Sequence, residues 1–111
     1  MKTKKPVQLK QSFFCRDTRV VAKELIGMEI IRNIENKKIK VRIVETEAYL
    51  PKDDPACHAS RGMTPRNSVM YGPPGHIYVY FIYGNYEMLN FVTENEGIPG
   101  AVLIRAVEPM N

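Results

Sequence analysis

The sequence predicts an α+β domain, with one N-terminal helix followed by a curved, mostly antiparallel sheet (a roll) from which a β-hairpin protrudes. Three observations carry this. A single stretch near the N-terminus has an apolar stripe at helical spacing, ended by a glycine. After it, apolar and polar residues alternate with period two in a series of short runs. Two of the breaks between runs, Glu35-Asn36-Lys37-Lys38 and Gly84-Asn85, have hairpin-turn composition, so the strands they join are antiparallel.

Taken in order, Asp17 or Thr18 can cap a helix that runs through Leu25, with Val21, Ala22 and Leu25 as its stripe and Gly27 as its stop. Met28 to Ile34 and Ile39 to Tyr49 read as strands flanking the turn at residues 35–38. Pro51 to Gly75 holds five prolines and three glycines, which predicts a long loop with at most one or two short helical turns. A loop of that length inside a small domain is more often functional than idle. His76 to Tyr83 and Tyr86 to Thr93 form the second hairpin across Gly84-Asn85, and Ala101 to Val107 is the last strand.

At 111 residues, 44% hydrophobic and 25% charged, the chain has room for one core and no separate cofactor domain. Cys15 and Cys57 are too few for a disulfide scaffold. No apolar run approaches the ~20 residues of a membrane helix, and no apolar segment of signal-peptide type follows the basic N-terminus. The expectation is an intracellular chain, cytoplasmic and nucleoid-associated or else nuclear, and not secreted. Charge is uneven. Residues 1–44 carry twelve Lys/Arg against four Asp/Glu, whereas residues 45–111 carry four against eight. The basic half suits a polyanion such as nucleic acid, or is a solvated tail and an ordinary charged hairpin.

Several polar residues interrupt apolar patterns. Strict alternation puts Val41, Ile43, Glu45, Glu47 and Tyr49 on one face of their strand, so two carboxylates follow two β-branched residues on the side expected to meet the core. A buried carboxylate needs a partner or a raised pKa, conditions an acid–base group exploits; alternatively the strand twists into solvent and both glutamates are wet. Asn90 shares a face with Met88 and Val92, and Arg105 one with Leu103 and Val107. A buried Arg105 needs a carboxylate such as Glu47, in a catalytic or a purely structural pair. Four of the six tyrosines fall between 78 and 86: they are core and cross-strand residues, or a surface for stacking on bases and a wedge between them. Cys57-His58 is a poor metal or thiol site, because the only other histidine is His76 and no orienting residue is identifiable. Metal and thiol chemistry are therefore rejected.

The run Ile43-Val44-Glu45-Thr46-Glu47-Ala48-Tyr49-Leu50 resembles the signature of the methylpurine-type 3-methyladenine (alkyladenine) DNA glycosylases. Similar too are Cys57-His58, Thr64-Pro65-Arg66-Asn67, the run from Pro74 to Gly84, Asn90, and Leu103 to Pro109. The matches keep family order and spacing over nearly the whole chain.

The resemblance implies an enzyme that flips an alkylated or deaminated purine out of double-stranded DNA and hydrolyses its N-glycosidic bond, leaving an abasic site, with no cofactor and no metal. It implies Glu47 as the base that activates water and Arg105 as the group that helps to hold that water. Tyr49, His58, Tyr80 and Asn90 would line the base pocket, and Tyr83 would fill the gap in the stack. Residues 1–111 would be the N-terminal part of the glycosylase domain, with the family's C-terminal part absent. Surface so left uncovered would favour self-association and weak turnover. Asn85, in place of a usually apolar residue, and Glu87 depart from the commoner pattern. Two other readings remain: a module that binds damaged DNA with little catalysis, and a non-enzymatic protein-interaction fold.

Overall fold

Asp17 caps the principal helix, α2 (Thr18–Leu25), by accepting a hydrogen bond from the Arg19 backbone N–H at 2.9 Å. In the computed structural model, which describes residues 8–52, 54, 57, 62–65, 67–82 and 86–111 (80–82, 86 and 87 by their backbone), α2 buries Thr18, Val21, Ala22 and Leu25. Gly27 then takes φ +89°, a left-handed conformation that stops the helix, and its N–H reaches the Ile43 carbonyl at 2.8 Å. The single helix expected from sequence is preceded by a second, one-turn helix, α1 (Gln11–Phe14). Four residues are too few to show a helical period. What holds α1 is tertiary: Phe14 stacks on Phe91 with ring centroids 5.4 Å apart.

The sheet is five-stranded, curled and antiparallel at every pairing: β1 (Glu29–Ile34), β2 (Lys37–Tyr49), β3 (Ile77–Ile82), β4 (Tyr86–Thr93) and β5 (Gly100–Pro109) lie in the order β1-β2-β5-β4-β3. The first hairpin turns on Glu35 and Asn36 alone, with φ +45° and +66°. Two left-handed central residues match the twist of the flanking strands. Lys37 and Lys38, expected in the turn, therefore join the ladder opposite Ile34 and Asn33. The Gly84-Asn85 turn lies outside the described residues.

The curl is covered on both sides. Phe14, Val21, Ala22 and Leu25 pack from the helices onto Ile43 and Val102, with Ala48, Phe91 and Ile104 beside them. The long connection after β2 covers the other face: Cys57 and Met70, the latter in a 3-10 turn at Ser68–Tyr71, pack with Tyr78, Val92 and Ala101. Among the described residues of that connection, the turn at Ser68–Tyr71 is the short helical turn expected there.

Strict alternation along β2 fails. The β2–β5 ladder runs Ile43 opposite Val107, then steps to Glu45 opposite Ala106, and steps back to Thr46 opposite Ile104. Ile43 is buried against the helices before the step. After it, Thr46 donates to the Ala22 carbonyl of α2 at 2.9 Å and Ala48 packs in the same helix-side cluster. Ile43 and Glu47 are thus on opposite faces, not on the shared face that period two predicted. The irregular step loses one alternation, which sends Glu47 and Tyr49 to the side away from the helices.

Candidate functional site

Directly opposed residues in an antiparallel sheet project to the same side. Across the four strands β2, β5, β4 and β3, the register sets Glu47 opposite Leu103, Leu103 opposite Asn90, and Asn90 opposite Tyr78. One row on the sheet face away from the helices therefore holds Glu47, Leu103, Asn90 and Tyr78. Two residues along β2, Tyr49 stands opposite Ala101 and packs on the cluster that contains Tyr78. Two residues along β3, Tyr80 is opposite Met88, on the same face by register.

The row grades from wet to dry. Glu47 keeps 34% of its side-chain exposure, whereas Leu103 and Asn90 are each only 1% exposed and Tyr78 4%. Asn90 is a primary amide among apolar neighbours, and its Nδ2 donates to the Met88 carbonyl at 3.2 Å. A buried amide needs such a bond, because leaving the group unpaired costs more than the bond is worth in water.

Arg105 supplies the charge partner expected for Glu47. Its Nη1 donates to Glu47 Oε2 at 3.3 Å, and its Nε lies 3.7 Å from Glu45 Oε2. The two alternatives open in the sequence divide between the two carboxylates. Glu45, 59% exposed, is wet; Glu47 is half-buried and paired. Arg105 is itself 60% exposed, so it is not the buried arginine that its apolar neighbours suggested. Beside this group an open hollow of about 580 Å³ lies between Arg19 and Lys23 of α2, with Ile26 just after it, and Glu45, Thr46 and Arg105 of the sheet. It includes neither Glu47 nor Asn90, so it is not the space that faces the row.

The structure thus brings together Glu47, Arg105, Tyr49 and Asn90. Tyr80 is on their face by register. His58 and Tyr83 lie outside the described residues. The sequence does not single out Leu103 for this row, and Tyr78, which it leaves as a core residue or a stacking surface, is buried in the core. The available signal was positional, since Leu103 is two residues from Arg105 and the strand register alone aligns it with Asn90. Among the described residues, no group of three or more His, Cys, Asp or Glu is placed to hold a metal ion.

An ion-paired, half-exposed carboxylate at the edge of an apolar, aromatic floor with one buried amide is an arrangement that can support acid–base chemistry. Comparison with known proteins gives the family. Residues 12–111 match the methylpurine-DNA glycosylase family, and the chain belongs to it. It is 55% identical over 102 residues to a protein of Methanocella arvoryzae, covering 92% of this chain and 51% of that one. It is 52% identical over 103 residues to one of Legionella pneumophila (93% and 56%), and 51% over 104 residues to one of Chlorobaculum parvum (93% and 50%). All three carry the provisional name 3-methyladenine DNA glycosylase. The chain spans about half the length of these curated relatives.

Proposed function

We propose that the protein is a DNA-repair glycosylase that turns an alkylated or deaminated purine out of duplex DNA and hydrolyses its N-glycosidic bond. The observation that carries this reading is the row itself: a carboxylate held by an arginine at one end and a buried amide with aromatic residues at the other, in a chain of the methylpurine-DNA glycosylase family. An alkylated purine is cationic and its glycosidic bond is already weak. Such a leaving group needs a placed water and a negative charge beside the cationic sugar that develops, more than it needs a strong acid.

In this reading Glu47 accepts the proton of the attacking water, and Arg105 fixes the carboxylate so that one oxygen faces the sugar. Tyr49 and Tyr80 offer electron-rich faces to the cationic base, a cation–π contact. The family resemblance gives His58 a role beside the base as well. Asn90 meets the base edge from the floor and opposes the extra amino group of guanine. Tyr83 enters the gap left in the stack, offsetting the few kcal/mol that flipping costs.

The experiment is release of base from a duplex carrying one alkylated purine. Glu47→Gln is expected to keep lesion binding while release falls by on the order of 10²-fold or more. Equal loss of binding and release would make Glu47 structural. Lesion binding with no release by the unaltered protein would favour a module that recognises damage without catalysis.

A further inference from the structure

We propose that Glu45 is a positioning residue for the reaction assigned to Glu47: it shares the Arg105 guanidinium, so that Arg105 can orient Glu47 without neutralising the site. The inference rests on the glycosylase reading and adds a role for a carboxylate which that reading leaves unused.

The geometry begins with the irregular step in the β2–β5 ladder. Glu45 is opposite Ala106 and Thr46 opposite Ile104, so Arg105 falls between them with no directly opposed residue on β2. From there its guanidinium reaches two carboxylates at once, Glu45 through Nε at 3.7 Å and Glu47 through Nη1 at 3.3 Å. Nη2 takes part in neither contact. Each carboxylate uses a different part of a rigid planar fork, so holding one constrains the angle at which the other is met.

Charge arithmetic gives the arrangement its use. Arg105 with Glu47 alone is a neutral pair, and a neutral pair offers little to a sugar becoming cationic. With Glu45 the contacting group carries one net negative charge, while Glu47 keeps its fixed orientation. Arg19 and Lys23 line the far wall of the adjacent hollow, and neither makes an ion pair with Glu45 among the described residues. They leave unchanged the difference of one charge that removal of Glu45 makes. At 60% and 59% exposure the Arg105–Glu45 contact contributes little to folding stability. Duplex DNA seated on this face excludes water, and the same charges then act through a lower effective dielectric.

The test combines single-turnover release from an alkylated duplex with binding of that duplex and thermal melting. Glu45→Gln is expected to slow release by on the order of tenfold, equivalent to about 1.4 kcal/mol of barrier, with affinity within about twofold and an unchanged melting midpoint. Glu45→Asp, which keeps the charge, should recover most of the rate. Unchanged release in Glu45→Gln, or an Asp variant as slow as the Gln variant, would each overturn the proposal. Release that survives Glu47→Gln is a separate result: it removes the base assigned to Glu47 and this proposal with it.

Discussion

Glu45 and Glu47 have the same chemistry and stand two residues apart, yet one is wet and the other half-covered, because a strand's two faces are set by its neighbours. Asn90 makes the complementary point: a polar side chain is held in an apolar layer by one bond to its own strand, at the Met88 carbonyl. The tightest residue-scale constraint lies elsewhere, at the first residue of β5. The hydroxyl of Thr18, at the start of α2, contacts the Thr93 hydroxyl at 2.8 Å and donates to Glu94 Oε2 at 2.6 Å. Glu94 also accepts the Thr18 N–H at 3.2 Å, a negative charge at the positive end of the helix. A β-carbon on Gly100 would collide with Thr18 Oγ1 and lie 2.8 Å from Thr93 Oγ1. Gly100→Ala is therefore expected to cost about 1–3 kcal/mol, seen as a fall in the thermal midpoint. A midpoint equal to the parent's would mean that this cluster yields more easily than its contacts indicate.

At the scale of elements, β2 does two jobs along one strand. Its first half pairs with β1 and buries Ile43 against α2, and its second half presents Glu47 and Tyr49 to the opposite side. The irregular step between them permits both. The β3–β4 hairpin is a different device: Tyr78 and Asn90 anchor its base in the row, and Tyr83 stands in the sequence between the two strands. If Tyr83 enters the gap in the stack, Tyr83→Ala should weaken binding to a lesion duplex far more than binding to a free damaged base, since only the duplex has a gap to fill. Tyr80→Ala should weaken both, by about 1–3 kcal/mol for a lost stacking face. Titrations of each variant with the two ligands read the contrast, and an unchanged duplex affinity for Tyr83→Ala would assign that residue to the hairpin alone.

For the molecule as a whole, half of the excess of base in the N-terminal 44 residues is carried by α2 and the first hairpin, where Arg19, Lys23, Lys37 and Lys38 are exposed, and the other half by the residues before α2. A phosphate-binding protein releases counterions when it binds, so its affinity falls with salt in proportion to the contacts made. Affinity for duplex DNA is expected to drop steeply between about 50 and 200 mM salt, as fluorescence anisotropy would measure. A flat dependence would favour the reading of the fold as a protein-interaction unit. In the observed strand order β1 and β3 are outermost, so each has one side unpaired with any other strand among the described residues. Open edges of this kind invite pairing with further chain.

The sequence alone determined the parts governed by local rules. Asp17 and Gly27 mark the ends of α2 because capping and left-handed backbone are matters of single residues. Alternation marks the strands because each residue turns the side chain over, and the family is legible because its motifs survive in order. What needed the tertiary structure was every relation between strands. Period two put Glu47 beside Ile43; the step at Glu45 and Thr46 moved it to the other face, and a register irregularity leaves no trace in a strand's own pattern. The turn at Glu35-Asn36 was read too long for the same reason, since the pairing of Lys37 and Lys38 belongs to two strands together. The alignment of Glu47, Leu103, Asn90 and Tyr78 is likewise fixed by hydrogen bonding between segments far apart in the chain. Local propensity names the residues that can do chemistry, and only the sheet's register decides which of them share a face.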